Sequence, residues 1–272
     1  MKLTEFTQVT ALDSTSILLI DGANGTKKIL TKDAILAMLS QISPESHRMI
    51  YRGKNLGSSF TVAQKATVNA GVFDDIFLGD YWIINGVTYR VADFNYFLRC
   101  GDTDFTRQHL VLVPDTSMYS GVMNDTNITT GGYVGSKMYT EGLAQAKTTI
   151  AAAFGDAVLT HREYLTNAVT NGYPSAGAWL DSTVELMSER MCYGNGIYIP
   201  APNGTTIPTN YTVAKSQLAL FQAVPKFIHN RATFWLRDVV SAAHFAAVNG
   251  NGFAGSTGAS SSLGVRPVFL VG

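Results

Sequence analysis

The apolar residues of this chain cluster in short β-branched and aromatic runs, set apart by turns rich in Gly, Asn, Asp and Pro. Residues 16–20 and 27–30 are two such runs. Asp21-Gly22-Ala23-Asn24-Gly25 between them supplies left-handed turn positions, which predicts a hairpin. Thr31 then stands as a helix N-cap with Asp33 in the first turn. Ile35, Met38, Leu39 and Ile42 follow at the spacing of one helix face. Ser43-Pro44 is expected to stop that helix. A hairpin and a few helical turns bury too little core to be stable alone. Residues 1–45 therefore read as a small unit that must pack on the rest of the chain, on copies of itself or on another protein, the last two being favoured by its place at the end of the chain before Pro44.

Residues 46–272 read as a larger α+β body. Residues 60–70 predict a short helix starting near Thr61. Residues 80–84 and 87–91 predict strands joined by Asn85-Gly86, a strong hairpin signal. Residues 110–113, just before Pro114, predict a buried strand. Residues 135–154 predict an Ala-rich helix closed by Gly155. Residues 159–168 are expected to extend the helical layer. Residues 184–187 are strand-like, and 200–208 predict a loop. The end of the chain offers an aromatic strand at 233–236, a middle strand at 244–248 and a closing strand from Val265.

Composition narrows the function. The chain has 272 residues, 46% hydrophobic and only 15% charged, with a net charge of zero. Nucleic-acid binding needs a basic surface, and no basic run occurs, so no nucleic-acid partner is expected. No apolar run approaches the length of a membrane span, and the first residues lack the apolar core of a signal peptide, so neither membrane insertion nor export by that route is expected. Two cysteines, Cys100 and Cys192, read as reduced thiols rather than a disulfide framework.

Motifs for chemistry are weak. Gly250-Asn251-Gly252-Phe253-Ala254-Gly255 has glycines at dinucleotide-binding spacing, but neither a helix nor an acidic residue follows it. The five histidines make no zinc pattern. Asp74, Asp75, Asp80, Asp102 and Asp104 are oxygen donors near turns, read as turn caps before calcium ligands. Glu185 and Glu189, on one face if the strand alternates through them, are the candidate acid pair for an envelope-degrading hydrolase. Trp82 and Trp235 read as core, and Trp179 is left open as a stacking platform. No catalytic residue, metal or cofactor is assigned.

The last forty residues say most. Phe234-Trp235-Leu236-Arg237-Asp238 and Gly264-Val265-Arg266-Pro267-Val268-Phe269 are apolar strand ends that bracket a stretch built of Gly, Ser and Ala. That pattern predicts a fixed frame holding a displayed surface. Small polar residues cost little entropy to order and offer adaptable hydrogen bonds. Asp238, Ser241, His244, Asn249, Asn251, Phe253, Ser256 and Thr257 are the candidate ligand-binding residues.

The frame motifs, with Val248-Asn249-Gly250-Asn251-Gly252, Leu186-Met187-Ser188-Glu189 followed by Gly194, and the Asp80-Tyr81-Trp82 hairpin, resemble the C-type-lectin-like domains common in gut bacteria and their phages. The first 45 residues, through Ile20-Asp21-Gly22 and Gly25-Thr26-Lys27-Lys28, resemble the leader of phage virion appendages. The two likenesses imply a bacteriophage structural protein: a tail or head fibre or spike, trimeric and located in the virion. Residues 1–45 would bind other virion proteins, and the lectin-like domain would bind a host-surface glycan or protein. In related folds of phages with diversity-generating elements, the variable region matches residues 238–262. The tripeptides Glu-Pro-Asn and Trp-Asn-Asp of calcium-dependent sugar-binding lectins do not occur here. Nor does the C-terminal cysteine pair of the formylglycine-generating enzymes. The alternative reading is a capsid- or tail-decorating protein with no receptor role.

Overall fold

The expected N-terminal hairpin forms: β1 (Ile17–Ile20) and β2 (Lys27–Leu30) pair antiparallel, Ile17 opposite Leu30 and Ile20 opposite Lys27. The structure, a computed structural model, describes residues 17–20, 27–30, 33–35, 38, 44–198, 216–229 and 231–272. Residues 33–35 and 38 are helical; Ile35 and Met38 are 50% and 69% exposed. The expected cap Thr31, the stripe residues Leu39 and Ile42, and the loop at 200–208 lie outside the described residues.

The expected helix stop at Ser43 lies outside the described residues. Pro44 opens helix α1 (Pro44–Met49), where its missing N–H costs nothing. The helix is fixed to the body by buried His47, whose Nδ1 lies 2.6 Å from the Ile76 carbonyl, and by Arg48, which donates to Asp93. The expected helix at 60–70 is α2 (Val62–Asn69). Thr61 and Gln64 form a reciprocal capping box, and Trp82 Nε1 donates to Gln64 Oε1 at 3.2 Å.

Strands β3 (Tyr81–Ile84) and β4 (Val87–Phe94) meet at Asn85-Gly86, with φ of 51° and 80°, the left-handed pair that a tight hairpin needs. Strand β5 (Leu110–Pro114) is wholly buried. After β6 (Tyr119–Gly121) comes a helical stretch that begins at Lys137 rather than Gly135. It runs through a π turn, Met138–Gly142, into α3 (Ala144–Phe154), and Gly155 closes it with φ 55°.

Residues 159–168 do not extend the helical layer. They lie mostly in β7 (His161–Thr170), paired with β8 (Tyr173–Ser182). His161, Glu163 and Leu165 are buried while Arg162, Tyr164 and Thr166 are half-buried. That is a period of two, not of 3.6. The turn is Asn171-Gly172, with φ of 53° and 81°.

Strand β9 (Val184–Leu186) leads through Ser188, which caps α4 (Glu189–Tyr193), and then to α5 (Ala219–Ala223). The C-terminal part is β10 (Phe234–Val239), β11 (His244–Val248), β12 (Ala254–Gly258), β13 (Leu263–Val265) and β14 (Pro267–Val271).

The strands make two five-stranded sheets, β3-β4-β5-β14-β9 and β12-β11-β10-β13-β6, with the β7–β8 hairpin beside them, an α+β architecture. The chain crosses between sheets at Arg266, and β10 also donates to the first sheet's end through Arg237 N to Met187 O. Trp82, Tyr89, Phe154 and Phe269 pack edge to face in the core of the first sheet, while Trp235, Phe245, Leu165 and Tyr133 form a second core. Each such side chain contributes on the order of 2–3 kcal/mol on burial.

Candidate functional site at the end of the second sheet

The frame is built as the sequence suggests. Strands β10 and β13 run side by side in parallel, Phe234 opposite Gly264. Trp235 is fully buried, and its Nε1 donates to the Gly121 carbonyl at 2.8 Å. Trp82 is buried as well, so both are core. Trp179 is half-buried, edge-on to Tyr164. Arg266, 1% exposed, locks the crossover: Nε donates to Pro114 O, Nη1 to Ile228 O and Nη2 to Phe227 O, at 2.8, 2.8 and 3.0 Å. Phe221 and Phe234 face the guanidinium. Burial lowers its pKa to about 10.

The stretch between these strands is not one crest. Strands β11 and β12 pair over their full length, from His244 opposite Gly258 to Val248 opposite Ala254. The two turns therefore lie roughly 13 Å apart at ~3.4 Å per residue. Asn249, Asn251 and Phe253 occupy the far turn, where Asn249 Oδ1 accepts from the backbone N–H of Asn251 and of Phe253, and Phe253 is 69% exposed. Ser256 is exposed and Thr257 half-buried on β12 between the turns. Ser241 and His244 sit at the near turn. Ser241 Oγ accepts from Ala243 N and His244 N and lies 3.0 Å from His244 Nδ1, a turn cap in which the hydroxyl already serves the backbone. Asp238 is half-buried on β10 and accepts from Glu189 N at 2.5 Å. Burial raises its pKa to about 6, against the pull of Arg237 and of the Glu189 N–H.

At the near turn two further segments join. Thr129 Oγ1 donates to Ser241 O at 2.7 Å, and Thr129 N donates to Ala242 O at 3.1 Å. Asn127 Oδ1 accepts from both the backbone N–H and the hydroxyl of Ser260. A Cβ on Gly258 would stand 2.6 Å from that same Oδ1. The tip of β7–β8 closes in from the other side, so near that a Cβ on Gly172 would meet Ala242 N at 3.0 Å. Asn127, Ile128, Asn171, Tyr173, Ala242 and His244 are all exposed there, Ile128 at 54% and Tyr173 at 61%. From Val239 to Val265 the chain has no Asp, Glu, Lys or Arg. The sequence reading missed Asn127, Ile128, Asn171 and Tyr173. The signal that would have found the last two is Asn171-Gly172, the same dipeptide that marked Asn85-Gly86.

A buried ionic layer ties the hairpin to the sheets. His161 Nε2 lies 2.9 Å from Glu163 Oε1, and Glu163 pairs with Arg237. Burial would raise the Glu163 pKa, but Arg237 and His161 outweigh it and hold the carboxyl below its usual range. Glu185, on β9, accepts from Tyr133 OH at 2.8 Å and Ser182 Oγ at 2.9 Å; burial and the nearby Glu163 charge raise it. Glu189 is on α4, not on a strand with Glu185, and accepts from Ile197 N and Tyr198 N. The expected acid pair is thus split between two elements, each carboxylate buried and occupied by local donors.

Three of the five aspartates near turns are likewise occupied. Asp75 pairs with Arg52 and Lys54, Asp80 with Arg52, and Asp102 with Arg162. No group of three His, Cys, Asp or Glu suited to a metal occurs among the described residues. Both cysteines are free, and burial pushes the Cys192 thiol well up. The glycine-rich motif at 250–255 runs into β12, not a helix. No family model, curated protein or solved structure matches the chain.

Proposed function

We propose that this chain is a non-enzymatic virion appendage protein, a phage fibre or spike. Its C-type-lectin-like body displays the near-turn surface to a host-cell glycan or protein. Residues 1–45 attach it to other virion proteins and bring it into a homotrimer. The observation that carries the reading is the convergence at Ser241 and Ala242. Three segments distant in sequence, residues 124–130, the β7–β8 tip and the β10–β11 turn, are bonded or packed together there while Ile128 and Tyr173 stay outside. Exposed aromatic and aliphatic side chains rimmed by Asn, Ser and His suit recognition rather than turnover. Weak single contacts would be multiplied by copy number on the particle.

The test is attachment of the labelled full chain to a panel of gut-bacterial cells. A variant carrying Ile128→Asn and Tyr173→Ser is expected to lose about tenfold or more in attachment, as central anchors do. Equal attachment by both proteins removes the receptor role from this surface. The alternative, a decorating protein that only packs on neighbours, draws on the exposed Leu30, Ile35 and Met38 of the N-terminal unit. It requires that no cell in the panel bind the intact chain.

A further inference from the structure

Among the described residues the edge of the second sheet is open at β12, and its composition is unusual for an open edge. Sheet edges present unpaired N–H and C=O groups, and folds normally blunt them with charges, proline, bulges or a covering segment. Among the described residues, the edges at β3, β6, β8 and β9 are treated so. Residues 51–57 run along β3, with Leu56 N donating to Tyr81 O and Ile83 N to Gly57 O. Strand β6 is capped by Tyr119 OH on Gly142 O and by Trp235 on Gly121 O. Strand β9 meets Tyr133 through Leu186 N. Strand β8 carries Pro174 and Asp181, and its ladder with β7 is bulged.

Strand β12, Ala254-Gly255-Ser256-Thr257-Gly258, has no charge, no proline and no register shift against β11. The phase of its ladder follows from the bonds that flank it. Asn249 N donates to Phe253 O and Ala259 N to Ala243 O. In an antiparallel ladder bonded residues alternate, so Gly255 and Thr257 face β11 while Ala254 and Ser256 point their N–H and C=O groups outward.

We infer that β12 pairs edge to edge with β12 of a second copy of this chain. The two strands run antiparallel about a twofold axis at Gly255. Ala254 of each copy faces Ser256 of the other, and these exchange reciprocal pairs of main-chain hydrogen bonds. Gly255 falls in the close, non-bonded position, where the absence of a side chain suits the approach. Such an isologous contact closes on itself. The Ala254 and Ser256 outward groups are complementary to their own copy about Gly255, and a copy meets no charge repulsion there, because nothing from Val239 to Val265 carries a fixed charge. A strand pair this short buries far less than the roughly 1,200–2,000 Å² of a stable interface, so the contact is weak and forms when copies are concentrated on one assembly. The inference does not rest on the receptor reading.

Residue-resolved hydrogen exchange on the full chain tests it. The Ala254 and Ser256 amides are expected to gain about tenfold in protection between about 10 μM and about 1 mM protein, while Gly255 and Thr257 stay protected throughout. Ser256→Pro removes an outward donor and leaves the β11 ladder intact, so it is expected to abolish the gain without lowering the unfolding midpoint. Free exchange of Ala254 and Ser256 at every concentration overturns the inference. So does protection that does not change with concentration, or protection that appears only when a foreign polypeptide is added. The wild-type exchange pattern decides the matter even if the proline variant fails to fold.

Discussion

Glu163 on β7 and Arg237 on β10 form an ion pair with both side chains almost wholly out of water, 3% and 6% exposed. It is the electrostatic link between the β7–β8 hairpin and the middle of the second sheet. Removing one partner strands the other charge in a dry setting. Arg237→Met is expected to cost about 3–5 kcal/mol in urea unfolding, and Glu163→Leu added to it to recover most of that loss. Additive losses in the double variant would show that the two side chains are not coupled.

Asp238 gives stability a pH dependence of a definite sign. Its folded pKa, about 6, lies above the ordinary aspartate value of 3.8, so the native state holds the proton more tightly. Its contribution is most favourable below about pH 4 and falls by about 2–3 kcal/mol as pH rises through 6. Asp238→Asn keeps an acceptor for Glu189 N and is expected to gain on wild type from about pH 4 to about pH 7 by roughly that amount. A constant difference between the two proteins across that range would contradict the assignment. Glu163 acts in the other direction. Its folded pKa is lowered, so its stabilisation is present above the unfolded value and is lost as pH falls through the folded one.

Arg266 is satisfied by three carbonyl oxygens and two aromatic faces rather than by a carboxylate. A lysine has the charge without the planar fork. Arg266→Lys is expected to lower stability by about 2–4 kcal/mol through unsatisfied carbonyls and a poorly solvated ammonium. Thermal unfolding reads this directly, and a loss below about 1 kcal/mol would show that lysine reaches the same carbonyls.

Gly172 is held twice, by its φ of 81° and by the approach of Ala242 N. Gly172→Ala is expected to destabilise by about 1–2 kcal/mol and to move the hairpin tip off the Ser241 turn. Amide chemical shifts of Ala242 and Thr129 report that movement. Unchanged shifts would place the tip's attachment elsewhere.

The sequence made the regular elements legible where turn chemistry and periodicity agreed. Thr61, Asn85-Gly86, Gly155 and the run from Leu110 each specify their element locally, and the structure has them. It misled at 159–168, where His161, Arg162, Glu163 and Tyr164 look like the polar face of a helix. His161 and Glu163 are buried because they satisfy each other and Arg237, which no local pattern reveals. The candidate surface was half legible. The turns after Asp238 stood out by composition, but Asn127 and Tyr173 reach them only through long-range contacts. Glu185 and Glu189 matched a spacing that assumed one strand, and the Ser188 cap ends the strand between them.

The central claim is that the surface around Asn171, Ala242 and Ile128 is the one that meets the host. Asn171 and Asn85 are matched probes, since each is an exposed first residue of an Asn-Gly turn at positive φ, on different sheets. In a Cys100→Ser background, Asn171→Cys and Asn85→Cys would each carry a bulky maleimide adduct on assembled virions. Host adsorption is expected to fall about tenfold or more with the adduct at 171 and to stay unchanged with it at 85. Equal adsorption from both labelled particles would contradict the account.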